Sequence, residues 1–208
     1  MELDELTNPY RPGAGTSPPA LVGRDELIDH FGTTVRRAVA GRPGKSLMPI
    51  GLRGVGKTVL LNRFAEIADQ EGLAVGFIEA PETGEFASLL VGRLRNVLLR
   101  FDGRRKTAKV LKALRILKTF ALQLPDGSTV SLDVDALVGA ADSGNLTDDV
   151  TDLLVAAGEA AVERDSGILL AIDEVQYLAA AELAALITAV HRTTQLDLPI
   201  VVVGAGLP

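Results

Sequence analysis

Apolar residues along the chain fall into two patterns: short runs with few interruptions, and longer stretches in which they recur every three or four positions. The runs at 73–79, 168–172 and 199–203 have the length and continuous apolarity of strands buried on both faces. A run at 46–50, Ser46-Leu47-Met48-Pro49-Ile50, predicts a further strand ahead of them, although Pro49 removes a ladder donor from it. Helical spacing predicts helices over 25–40, carrying Leu27, Ile28, Phe31 and Val35, and over 58–69, carrying Leu60, Leu61, Phe64, Ile67 and Ala68. The same spacing predicts helices over 86–101, over 148–164 with Leu153, Leu154 and Val162, and over 179–194. Strands alternating with helices imply an α/β fold, a parallel sheet flanked by helices on both faces.

Between the second and third strands lies more chain than that alternation requires. Residues 104–119 read as a basic helix. Residues 120–124 and 129–134 then alternate apolar and polar positions around Pro125-Asp126-Gly127-Ser128, which predicts a β-hairpin. Residues 102–147 are therefore expected to form an inserted helix and hairpin within a core spanning 21–208. Ahead of it, residues 1–20 carry Asn8-Pro9-Tyr10-Arg11-Pro12-Gly13 and Ser17-Pro18-Pro19, and read as an extended arm. No internal repeat is visible.

A chain of 208 residues suits one substantial domain. It has no cysteine, which excludes disulfides and thiolate metal sites. His30 and His191 are far apart, each in a helical context, and read as ordinary histidines rather than ligands. Neither a secretory leader nor a membrane-spanning run is seen, so a soluble, cytoplasmic protein without membrane contact is expected. The net charge of −6 argues against general affinity for nucleic acid. Its distribution is uneven: 10 of the 21 basic residues lie between Arg93 and Lys118, against the single acid Asp102. Lys106, Lys109, Lys112, Arg115 and Lys118 recur every three residues, a spacing that drifts around a helix instead of forming one stripe. That segment is a DNA-phosphate surface, or else a solvated helix face or one paired with the acidic 133–165 region, and the latter two are favoured. No aromatics interleave with the basic residues, which gives base stacking little support.

The sharpest chemical signal is Gly51-Leu52-Arg53-Gly54-Val55-Gly56-Lys57-Thr58, followed by Val59 in the opening turn of a predicted helix. It is a complete P-loop between strand and helix. Its backbone N–H groups close around nucleotide phosphates, Lys57 reaches the β- and γ-phosphates, and Thr58 ligates Mg²⁺. The strand at 168–172 ends in Asp173-Glu174. In such enzymes the first acid holds the Mg²⁺ shell and an adjacent glutamate activates water. Two acids also suit an ordinary helix start, and the intact P-loop decides against that reading. Gln176 either senses the γ-phosphate, contacts a neighbour or faces solvent, and Tyr177 reads as packing.

With the P-loop, Asp173-Glu174 and Leu21-Val22-Gly23-Arg24 upstream, the chain resembles an AAA+ ATPase. It looks closest to the origin-recognition-like clade, which borders on signal-transducing ATPases that act as nucleotide switches. The resemblance covers roughly residues 20–80 and 165–208 and implies ATP or ADP with Mg²⁺ as cofactors. ATP is preferred over GTP by the resemblance, and no guanine-selective Asn-Lys-x-Asp motif is present. The resemblance further implies that Val22, Gly23 and Arg24 border the adenine, that Lys57 and Glu174 are catalytic, and that Gly51, Gly54, Val55, Gly56, Lys57, Thr58 and Val59 bind nucleotide. Thr58 and Asp173 would hold the metal. It also implies self-association or a ring.

Two departures stand out. The family's polar residue at the tip of the fourth strand is replaced by Gly204-Ala205-Gly206. The chain also ends at Leu207-Pro208, so the family's fifth strand, arginine finger, lid and second sensor are expected to lie outside it. It is expected to be a fragment or a truncated protein, with a strand edge open to self-association. An arginine finger can contribute about 10³ or more to turnover, so such a chain is expected to bind nucleotide and hydrolyse it slowly. A nucleotide-controlled switch and a DNA-associated ATPase module are the alternative functions.

Overall fold

The computed structural model describes residues 23–42, 44, 46–82, 86–102, 107–124 and 131–208. The predicted arm at 1–20 and Val22 lie outside the described residues, as do Arg104, Arg105, Lys106 and the turn at 125–128.

Among the described residues three parallel strands, β1 (Ala74–Glu79), β2 (Ile168–Asp173) and β3 (Ile200–Gly204), form a sheet in the order β1-β2-β3. The register sets Ala74 beside Ile168, and Ile168 beside Ile200. Every residue of β2 is buried, as the continuous apolar run Ile168–Ile172 requires of a central parallel strand.

The described residues form six helices around the sheet: α1 (Asp25–Val39), α2 (Lys57–Gln70), α3 (Phe86–Asp102), α4 (Ala108–Gln123), α5 (Leu146–Val162) and α6 (Ala180–Gln195). Alternate residues of the strands point to opposite faces, so the sheet divides the core in two. On one face Leu169, Ala171, Val201 and Val203 pack against Phe31 and Val35 of α1 and Leu60, Leu61 and Phe64 of α2. Phe31 and Phe64 stack with ring centroids 4.2 Å apart. On the other face Ile168, Leu170, Ile172, Ile200 and Val202 meet apolar residues of α3, α5 and α6, and α4 packs outside them on α3 and α5. The result is an α/β architecture, a parallel sheet flanked by helices.

Two expectations are corrected. The predicted strand at 46–50 is reduced to isolated parallel bridges, Leu47 to Val203 and Ile50 to Gly206. Pro49, which has no N–H to give, lies between them. The predicted hairpin is absent from the described residues. Its first strand is the end of α4, where Phe120 and Ala121 continue the buried helical face of Val110, Ala113, Leu114 and Leu117. Of its second strand, residues 131–134 carry no strand pairing. Their carbonyls are met by basic side chains instead: Arg95 donates to Ser131 O at 3.0 Å and Lys118 to Val134 O at 2.5 Å. Arg115 donates to Asp135 O at 3.2 Å, and Thr119 Oγ1 accepts from Leu137 N at 2.8 Å. Further along α4, Lys109 and Lys112 lie 2.8 and 3.6 Å from Glu159 of α5. The basic helix is thus a paired face, anchored to α5 and to the loop that follows it.

Candidate functional site

The loop 51–56 leaves the bridged segment at Ile50 and turns into α2. Gly54 and Gly56 have φ of +83° and +81°, left-handed values that an L side chain rarely adopts. A Cβ built on either would meet nothing within 4 Å. The glycines are therefore demanded by backbone conformation, and the space in front of the loop is open. Gly56 N-caps α2 without a side-chain cap, and the first turn of α2 holds no acid. Its opening amides and the positive end of its dipole are left for an anion. Lys57 Nζ donates to the carbonyls of Gly51 at 2.8 Å and Leu52 at 3.0 Å, so its ammonium lies against the loop's own backbone.

One contact joins the two sequence motifs. Thr58 Oγ1 donates to Asp173 Oδ2 at 2.5 Å across 115 positions of sequence. Asp173 ends β2 and is 4% exposed. Its other oxygen accepts the Glu174 N–H at 2.9 Å. A buried carboxylate next to a hydroxyl is a pair of hard oxygen donors. Mg²⁺ takes one or two carboxylates together with phosphate oxygens and waters, so the residues present fit that ion.

Glu174 has φ 55° and ψ 41°, a left-handed conformation unusual for a side chain of its size. The turn it makes carries the chain from β2 into a 3-10 turn, Val175–Tyr177, which folds back towards the tip of β3. Gln176 Nε2 donates to Glu174 Oε2, and Gln176 Oε1 accepts from Leu207 N at 3.0 Å. Tyr177 is half-buried against the core of α3 to α6. Its hydroxyl hydrogen-bonds Glu82, and that carboxylate raises its pKa above the usual phenol value of 10.0, since ionisation would set two negative charges together.

Upstream, Gly23 has φ +76° and Arg24 precedes α1, with Arg24 Nη2 3.4 Å from Val55 O. The Gly-Arg pair is thereby brought to the phosphate loop. Val55 is exposed and Val59 half-buried in the first turn of α2. A cavity of about 740 Å³ opens nearby between α6 and the 46–48 segment. It is lined by Met48, Ile172, Val175, Leu183, Leu186 and Val202, none from the P-loop. No helix among the described residues is long and apolar enough to cross a membrane.

A family model described as an AAA ATPase domain matches residues 20–203. The chain belongs to the AAA ATPase domain family. No curated protein matches it. Among solved structures, a chain in the structure of the E. coli MS115-1 HORMA:CdnC:Trip13 complex is similar to this AAA ATPase domain at 17% identity, with a TM-score of 0.42. The match covers 90% of this chain and 57% of that one, so the chain here spans little more than half of its neighbour.

The structure brings Lys57, Thr58, Asp173, Glu174 and Arg24 of this AAA ATPase domain to one end of the sheet. It adds two links with no sequence signature, Arg24 to Val55 and Gln176 to Leu207. Each ends on a main-chain atom, a carbonyl that any residue supplies or an N–H that all but proline supply.

Proposed function

We propose that this AAA ATPase domain binds ATP with Mg²⁺ and hydrolyses it. The observation that carries the proposal is the contact of Thr58 Oγ1 with Asp173 Oδ2, which sets the P-loop hydroxyl against the carboxylate at the end of β2. Gly51, Gly54, Val55, Gly56 and Val59 belong to the loop and first helical turn that enclose the phosphates. Lys57 exchanges its carbonyl partners for phosphate oxygens, and Thr58 and Asp173 hold the metal. Bound Mg²⁺ neutralises phosphate charge and fixes the orientation of its oxygens. Glu174 accepts a proton from the attacking water as general base. Arg24 and Gly23, with Val22, border the adenine. The core is taken as residues 21–208, with 102–147 inserted into it. Self-association, up to a ring, belongs to the same proposal and is read by sedimentation with and without nucleotide.

The test is titration of a fluorescent ATP analogue with Mg²⁺ into the wild type and Lys57→Ala, with phosphate release assayed on the same samples. Removing hydrogen bonds from a charged group costs about 1.5–3 kcal/mol, so Lys57→Ala is expected to bind roughly 10- to 100-fold more weakly. Equal binding by the two proteins, or none by either, would sink the proposal.

A second reading is favoured by Gly204-Ala205-Gly206, which offers no polar side chain at the tip of β3. The domain would then be a nucleotide-controlled switch with little turnover. Glu174→Gln separates the two readings: a change confined to the hydrolysis rate supports the enzyme, and a change in nucleotide occupancy supports the switch. The DNA-module reading is the weaker one, because Arg95, Lys109, Lys112, Arg115 and Lys118 are engaged with Glu159 and with loop carbonyls.

A further inference from the structure

We infer that Gln176 is a positioning residue, tying the Glu174 carboxylate to the phosphate loop through the backbone of residues 205–207. The inference rests on the proposed role of Glu174 as general base. Both ends of the Gln176 amide are used. Nε2 donates to Glu174, and Oε1 accepts the Leu207 N–H at 3.0 Å.

The segment that Gln176 grips is bonded to both halves of the site. Ala205 N donates to Ile172 O at 2.8 Å, and Val175 N donates to Ala205 O at 2.9 Å, which fastens the segment to the end of β2. On its other side Gly206 N donates to Pro49 O at 3.3 Å, and Gly51 N donates to Gly206 O at 3.2 Å. Gly51 is the first residue of the P-loop. A displacement of that loop is therefore passed through Gly206 and Leu207 to Gln176, and from there to the carboxylate.

Sterics oppose a side chain at Gly204 and Gly206, near the tip of β3. A Cβ on Gly206 would lie 2.7 Å from Val175 Cγ2 and 2.9 Å from Gln176 Oε1, and one on Gly204 would lie 2.9 Å from Val175 Cγ1. The 3-10 turn occupies the room that a polar side chain on β3 would need. The polar group beside Glu174 comes from that turn instead, carried there by the left-handed backbone of Glu174 itself.

The test uses the full chain and three measurements. In nucleotide-free protein, amide hydrogen exchange at Leu207 is expected to speed up by about tenfold in Gln176→Leu, which cannot accept the bond. Gln176→Glu keeps the acceptor and loses the donor, so it should leave Leu207 protected while still slowing hydrolysis. Nucleotide affinity should stay within about twofold in both, and single-turnover phosphate release should fall about tenfold. Placed on Glu174→Gln, either substitution should slow release no further, because the group it positions is gone. Unchanged Leu207 exchange in Gln176→Leu, unchanged release, or equal slowing in both backgrounds would each overturn the inference. The two layers remain distinguishable. If Glu174→Gln itself leaves release unaffected, the general-base reading fails and takes this one with it. If Glu174→Gln is impaired and both Gln176 variants are normal, only the role of Gln176 fails.

Discussion

Asp173 is under two opposed demands. It is buried, and among the described residues its carboxylate is held by two donors, the Thr58 hydroxyl and the Glu174 N–H, with no cation among its hydrogen-bond partners there. Burying a charge without full compensation is costly, and under the proposed metal-binding role Asp173 carries that cost in the nucleotide-free protein. Asp173→Asn removes the charge and keeps an acceptor for one donor. Its nucleotide-free melting temperature is expected to equal or exceed that of the wild type, while Mg²⁺-dependent nucleotide affinity is lost. A thermal melt with and without Mg–ATP reads both, and a strongly destabilised variant with intact affinity would refute the assignment. Glu174 shows the same tension in its backbone. A non-glycine residue held in the left-handed region costs on the order of 1–3 kcal/mol, so Glu174→Asn, which tolerates that region better, is expected to melt no lower than wild type yet lose turnover. At this scale the sequence is most legible in placement: Lys57 and Thr58 open α2 and Asp173 ends β2, as the strand and helix patterns predict. Gln176 has no definite role in the sequence pattern, because its partner at Leu207 is a backbone N–H.

The seam between α4 and α5 shows why elements were harder to read than residues. The alternation over 120–124 fits a strand and the end of a helix equally well, since five residues cannot distinguish a period of 2 from 3.6. What decides is the preceding buried row of Val110, Ala113, Leu114 and Leu117, which Phe120 and Ala121 extend against the core. The basic residues were visible, but their acceptors are loop carbonyls and one glutamate on another helix. That glutamate gives the seam a pH dependence. Hydrogen bonding from Lys109, helped by the positive charges of Lys109 and Lys112, holds the Glu159 carboxyl below its ordinary 4.5 against the opposing effect of burial. A depressed folded-state pKa stabilises the fold above the unfolded value, and the contribution is lost as pH falls through the depressed one. Glu159→Gln is therefore expected to be less stable than wild type at neutral pH, with the gap closing below about pH 4.5. Urea denaturation at a series of pH values measures it. A gap that stays constant with pH would mean that Glu159 acts by packing alone.

For the molecule as a whole, the strands run parallel and the candidate site collects where they end: the P-loop after Ile50, Asp173 at the end of β2, and residues 204–207 beyond β3. In open α/β sheets that carboxyl end is where ligands bind, and here it sets parts of distant sequence origin side by side. Thr58 belongs to a helix on one face of the sheet, and Asp173 to the central strand, whose residues enter both core clusters. A ligand held by both residues therefore crosses the layers of the fold, and its binding should register in global stability and not only in the loop. Nucleotide at 100 times its dissociation constant should add about 2.7 kcal/mol, provided it binds only the folded state. For a domain of this size that corresponds to a rise of roughly 5–10 °C in melting temperature. The rise should disappear in Lys57→Ala and shrink when Mg²⁺ is chelated, because the proposal has the Thr58–Asp173 pair act on the ligand through the metal. A rise of the same size with and without Mg²⁺ would leave the P-loop as the phosphate site and remove Thr58 and Asp173 from the metal.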